Sequence, residues 1–155
     1  MFKRTGLMII KVLTIIILSL VVCNSYAQTS EEETMRKGID LTRLEKFDEA
    51  ITEFNKVITA NPKSVAAYYN LGFAYDKKGD LANAISYFSK AIEIDATLAD
   101  AYYNRGSAYY KKGNFDNAIT DYNKVIEISP ASADAHYGLG LAYSKKSDQD
   151  KAISE

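Results

Sequence analysis

Apolar positions through most of this chain recur at intervals of three and four residues. Val65, Tyr68, Leu71, Gly72 and Tyr75 follow that spacing, which brings them to one face of a predicted α-helix. Lys77-Lys78-Gly79-Asp80 follows. The lysines favour the negative end of the helix dipole, and Gly79 suits the left-handed position just past a helix end. Asp80 suits the cap of a second helix. A second stripe then runs through Ala84, Ile85, Phe88, Ala91 and Ile92. The unit is helix, tight turn, helix.

That unit repeats. AAYYNLGFAYDKKGDLANAI from Ala66 returns as DAYYNRGSAYYKKGNFDNAI from Asp100 and DAHYGLGLAYSKKSDQDKAI from Asp134, 34 residues apart each time. The period divides the chain into blocks 31–64, 65–98 and 99–132, with an incomplete block at 133–155. A period of roughly 20–50 residues marks a stack of like units, and such stacks serve as surfaces that hold another molecule. The turn is copied at Lys111-Lys112-Gly113-Asn114 and Lys145-Lys146-Ser147-Asp148, and more weakly at Leu44-Glu45-Lys46. The fourth block is therefore expected to hold one helix over about 133–146 and the beginning of another from Gln149. Pro62 and Pro130 stand between blocks, where a helix must stop. Ala96 at the corresponding place predicts a weaker stop.

The residues at fixed places in the blocks carry a resemblance. The second block has Tyr68, Leu71, Gly72, Tyr75, Gly79, Ala84, Phe88, Ala91 and Ala96. The third has Tyr102, Arg105, Gly106, Tyr109, Gly113, Ala118, Tyr122, Val125 and Pro130. The first has Thr34, Lys37, Gly38, Leu41, Glu45, Ala50, Phe54, Val57 and Pro62, and the fourth has His136, Leu139, Gly140, Tyr143, Ser147 and Ala152. This resembles the tetratricopeptide repeat over about 31–155. The resemblance implies an all-α fold, a right-handed α-solenoid of helix-turn-helix repeats. The recurring glycines and alanines would let paired helices approach closely. A glycine within a helix costs about 0.5–1 kcal/mol relative to alanine, so its return in phase signals a packing requirement.

In that family the first helices line a concave groove. The resemblance implies that Tyr69, Tyr103 and Tyr137 point into it, with Phe73 and Leu141 one turn on and Asn70, Asn104, Tyr110 and Lys111 at the edges. Tyrosines of this kind suit an interface; the other reading is that they are exposed consensus positions without a specific ligand. Repeats that grip a C-terminal carboxylate use lysine, asparagine and arginine on this face. Only Asn70 and Asn104 match, with tyrosines where a clamp lysine would stand, so a groove for a hydrophobic or aromatic peptide fits better.

The N-terminus departs from this pattern. Residues 1–11 include Lys3, Arg4 and Lys11, residues 12–22 form an apolar run of 11 residues, and Ser25 and Ala27 are small residues before Gln28. This is the three-part pattern of a secretory signal peptide over 1–27, and it predicts an exported protein, periplasmic or secreted. The alternative is a retained membrane anchor, against which stands the shortness of the run beside the roughly 20 apolar residues a spanning helix needs. Lipid attachment at Cys23 is a third reading, disfavoured by Val22 before it. Cys23 is the sole cysteine, so the remainder contains no disulfide.

The chain carries 19 basic and 20 acidic residues. With the three N-terminal bases set aside, 16 face 20, which leaves no electrostatic footprint for nucleic acid. The lysine pairs 77–78, 111–112 and 145–146 are read as solvated residues that complement helix dipoles. His136 is the sole histidine and occupies the place of Tyr68 and Tyr102, so it is read as packing between helices. One histidine does not make a zinc set, and no glycine-rich loop forms a phosphate cradle. No catalytic residue, metal ligand or cofactor is expected.

The expected function is an exported scaffold or adaptor that docks a protein or peptide in the groove. Membrane contact enters only through an uncleaved N-terminus or a lipidated Cys23. Two alternatives remain: a membrane-anchored envelope assembly module, and the binding half of a longer enzyme. The unfinished fourth block points to a fragment of a longer chain, or to self-association through an open end.

Overall fold

The computed structural model describes the backbone of residues 2–154 and the side chains of residues 14–19, 22 and 28–149. Among the described residues there are seven α-helices and no strand. These are α1 (Phe2–Arg43), α2 (Phe47–Ala60), α3 (Val65–Lys77), α4 (Leu81–Ile94), α5 (Ala99–Lys111), α6 (Phe115–Ile128) and α7 (Ala133–Ser154). Each packs against its neighbours in the chain. The odd-numbered helices also touch one another in succession, α1 to α3 to α5 to α7, whereas the even-numbered helices do not meet. The stack therefore curves, with the odd helices on its inner side. The fold is an α-solenoid.

The core is built from one large aromatic per hairpin. Phe54 and Phe88 are fully buried and Tyr122 nearly so. Each lies against the glycine of its own hairpin: a Cβ on Gly38 would come within 2.5 Å of Phe54, and one on Gly72 within 2.6 Å of Phe88. The packing requirement that the glycine's phase in the sequence implies is room for a ring, and the aromatic lies within its own hairpin rather than between successive pairs. Tyr122 carries a hydroxyl that the two phenylalanines lack. Gly138 on the following helix makes room for it, since a Cβ there would sit 2.8 Å from the Tyr122 Cζ. Burial, with Tyr103 next, pushes the Tyr122 phenol up to about 12.

The turns inside hairpins depend on a left-handed residue. Gly79 has φ +81° and Gly113 φ +77°. The Asp80 N–H donates to the Tyr75 carbonyl at 2.9 Å and the Gly79 N–H to the Asp76 carbonyl at 2.9 Å, closing the helix end in the Schellman manner. Asp80 and Asn114 then accept from the N–H groups of Asn83 and Asn117, which satisfies donors left over in the first turn. In the first hairpin Glu45 takes the left-handed place at φ 59° despite its Cβ.

The fourth turn does not form. The expected break at 145–148 is absent, and α7 runs through it to Ser154. Ser147 stands where Gly79 and Gly113 stand. A Cβ disfavours the left-handed conformation but not the right-handed helix, so the chain continues in the conformation already begun.

Between hairpins, α2 and α6 end two residues before Pro62 and Pro130. The weaker stop expected at Ala96 is as sharp: α4 ends at Ile94. Asp95 accepts from the Thr97 N–H at 2.9 Å and the Thr97 hydroxyl at 2.7 Å. These bonds, the side-chain one first, hold its carboxyl below the usual range. An Asx turn here does the work of a proline.

The N-terminal segment is continuous with the first hairpin, because α1 passes from Phe2 to Arg43 without a break. Nothing between Ala27 and Thr34 is a glycine or proline. Ile15, Ile16, Ile17, Leu18 and Val22 are exposed. Among the described residues no helix is long and apolar enough to cross a membrane. The side chains of Cys23, Ser25 and Ala27, on which lipidation and cleavage were read, lie outside the described residues.

Candidate functional site

Three tyrosines, one per repeat, occupy the inner layer of helices in three different states. Tyr69 of α3 tilts onto Phe88 with ring centroids 5.8 Å apart, and its hydroxyl accepts from Asn104 Nδ2 at 2.9 Å. Tyr103 of α5 lies against Tyr122 at 5.7 Å. Burial raises both phenols, followed in size by the charge of Asp100 beside Tyr69 and of Asp134 beside Tyr103. Tyr137 of α7 is 70% exposed. The first two are half-buried and act as walls of the groove. The third presents most of its ring.

The remaining expected residues divide in the same way. Phe73 lies beneath the Lys77 ammonium, 5.1 Å from its centroid, and Leu141 is exposed. Asn70 donates to the Ala66 carbonyl of its own helix at 2.8 Å, and Asn104 is engaged by Tyr69. Tyr110 packs on Phe115 at 5.5 Å, at the turn of its own hairpin. Lys111 is held by both carboxylate oxygens of Asp76, at 2.7 and 2.8 Å. It therefore ties successive repeats together.

The same correction applies to other lysines. Lys78 bonds to Asp48, and Lys146 to Asp116. Each reaches back to the first turn of the preceding even helix, so these lysines join repeats as well as complementing dipoles. His136 is exposed rather than packed between helices, and its Nε2 lies 3.0 Å from the Pro130 carbonyl. Among the described residues no cluster of histidine, cysteine and acidic side chains could hold a metal.

The period could have revealed a further part of the inner face. Met35, Arg36, Ile39 and Arg43 hold the places in the first block that Tyr69, Asn70, Phe73 and Lys77 hold in the second. Together with Glu31, Glu32 and Ala66 they line a cleft of about 420 Å³ between α1 and α3. Their chemistry differs from the tyrosine ladder, which is why composition alone did not mark them.

Buried charge supports this surface from behind. Arg105 stands where the second block has Leu71. Its Nε and Nη2 donate to the two oxygens of Asp121 at 2.8 and 2.7 Å, and its Nη1 to Ser89 of α4 at 2.9 Å. The two side chains are only 18% and 3% exposed. In the first block the corresponding places hold Lys37 and Glu53, joined at 2.7 Å. Lys37 and then Lys56 hold the Glu53 carboxyl below the usual range. No buried polar side chain among the described residues lacks a partner.

Comparison with known proteins agrees with this architecture. Profiles described as "Tetratricopeptide repeat" match residues 35–99 and 87–120, and one described as "TPR repeat" matches 106–147. Among curated proteins none matches this chain. Among solved structures, MamA is similar at 32% identity and TM-score 0.73, covering 80% of this chain and 72% of that one. The first TPR domain of human RPAP3 is similar at 25% identity and TM-score 0.74, covering 78% and 95%. The first TPR of Spaghetti (RPAP3), solved bound to the HSP90 peptide SRMEEVD, is similar at 25% identity and TM-score 0.70, covering 81% and 94%.

Proposed function

Since this chain belongs to the tetratricopeptide repeat family, we propose that it is a non-catalytic scaffold whose inner face docks an extended or helical peptide of a partner protein. The observation that carries this reading is the tyrosine ladder, and within it the exposed ring of Tyr137 beside exposed Leu141. An aromatic with a polar tip supplies a large contact area at small cost in conformational entropy. The relative solved with a bound peptide supports a peptide as the kind of partner. Asn70 and Asn104 already spend donors inside the protein, Lys111 is neutralised by Asp76, and tyrosines stand where an anion clamp needs lysine. Apolar and aromatic side chains are therefore the recognised chemistry, in preference to a terminal carboxylate.

Tyr137 is the clean test, because Tyr69 and Tyr103 also pack on core rings. Peptides selected from a displayed random library on the full chain are expected to lose affinity about tenfold with Tyr137→Ala, the loss of one well-used aromatic contact. Thermal stability should hold. Selected peptides that bind Tyr137→Ala and Leu141→Ala as well as the parent would remove the groove from consideration.

Residues 1–27 are proposed to direct export, on the basic, apolar and small-residue segments of the sequence. Expression with its own N-terminus followed by N-terminal sequencing should return Gln28. A retained Met1 in a membrane fraction would instead support the anchored reading.

A further inference from the structure

The step from one inner helix to the next is not built alike along the groove. Between α3 and α5 it is bridged twice: the Tyr69 hydroxyl accepts from Asn104, and Asp76 binds Lys111. Between α1 and α3 the period puts Met35 and Asn70 in the places of the first pair, and Thr42 and Lys77 in those of the second. Neither bridge forms. Met35 has no hydroxyl, and Asn70 donates to the Ala66 carbonyl of its own helix. Thr42 donates to the Gly38 carbonyl, and Lys77 lies over the Phe73 ring.

The unbridged step is the cleft of about 420 Å³. Its apolar lining is Met35, Ile39 and Ala66. Met35 and Ile39 are anchored in the core behind them, and Ala66 is exposed. The charges around the cleft are not equally available. Asp40 is bonded to Arg43, and Glu31 to Asn61. Arg36 is exposed and has no hydrogen-bond or ion-pair partner among the described residues. Glu32 is in the same state, one turn nearer the N-terminus of α1.

We propose that this cleft is the anchor subsite of the inner groove, and that it selects an extended partner segment with one large aliphatic or aromatic side chain and an acidic residue two places from it. The inference rests on the peptide-docking reading and names the chemistry of the occupant. A large apolar side chain enters where the bridges are missing, between Met35 and Ala66. In an extended chain, residues two apart lie on one side, about 6.6 Å from each other, so a carboxylate there meets Arg36 while the anchor is seated. A base at that place would face a guanidinium that nothing neutralises. Glu32 repels an acid from the other side of the anchor, so the carboxylate lies toward Ile39.

The probe is the best-enriched peptide selected on the full chain from a displayed random library, capped at both ends to remove its terminal charges. It is expected to carry leucine, methionine, phenylalanine or tryptophan with an acid two places away. Ala66→Phe fills the cleft from an exposed position and should weaken binding about tenfold, the loss of one anchor, with the thermal midpoint unchanged. Arg36→Glu should weaken it to a similar degree, and lysine in place of the peptide's acid should restore binding to Arg36→Glu while weakening binding to the parent. A peptide that loses affinity with Tyr137→Ala, yet binds Ala66→Phe and Arg36→Glu as tightly as the parent, overturns this subsite and leaves the groove reading standing. One indifferent to all three variants overturns both, as does a selection that returns no peptide. If Ala66→Phe disrupts binding but the lysine exchange restores nothing, the acidic half of the proposal is overturned.

Discussion

Alanine in place of Asp121 should lower the unfolding free energy by about 3–5 kcal/mol, the cost of leaving one charge of a buried pair without its partner. Arg105 would lose both of its carboxylate bonds and keep only Ser89, in a site where it is 18% exposed. The second block shows how to remove the pair without that penalty. It places Leu71 and Tyr87 at the corresponding positions, with Leu71 fully buried. The double variant Arg105→Leu with Asp121→Tyr should therefore stay within about 1 kcal/mol of the parent or exceed it, since replacing a buried ion pair by packed apolar groups is often neutral or stabilising. Urea denaturation of the two single variants and the double gives the cycle. If the double variant is as unstable as the sum of the singles, the pair is not the source of the effect.

Phe88→Ala should cost about 3–5 kcal/mol, because it empties a fully buried ring site in a core that can collapse only in part. The ring is held over Gly72, so the reverse change is also unfavourable. Gly72→Ala forces a Cβ to within 2.6 Å of Phe88 and should cost about 1–3 kcal/mol by overpacking. Combined, the two should cost less than their sum, since the new methyl occupies space the ring has left. Gly140→Ala supplies the internal control: it meets no atom and gains about 0.5–1 kcal/mol of helix propensity. Thermal denaturation followed by circular dichroism separates these outcomes. A loss at Gly140 equal to that at Gly72 would show that the glycines act through something other than close approach.

The helices and their packing glycines were legible because each repeat restates them. The period marks Gly72 as a packing position, and the structure shows that what it admits is the Phe88 ring of the same hairpin. The turn at 145–148 was misread for a related reason. Lys145-Lys146-Ser147-Asp148 copies the letters of its predecessors except at the one position where a left-handed φ favours glycine, and there Ser147 continues the helix. The stop at Ala96 was underread because its cause is Asp95 and Thr97 rather than a proline. On the inner face, position in the repeat identified which residues belong to the odd helices. It did not distinguish Tyr69 and Tyr103, committed to core rings, from Tyr137, which is free. Nor did it show that Lys111 is spent on Asp76, because that bond joins residues 35 apart.

By itself the sequence determined the repeat that makes this chain a solenoid and the hairpin pairing of its first three blocks, because hydrophobic period, helix stops and the packing glycine are local properties that return at each period. The tertiary structure alone decided which of those residues remain available. Availability depends on what the next repeat brings against a side chain: Asn104 against Tyr69, Asp76 against Lys111, Gly138 against Tyr122, and no described helix against Gly140.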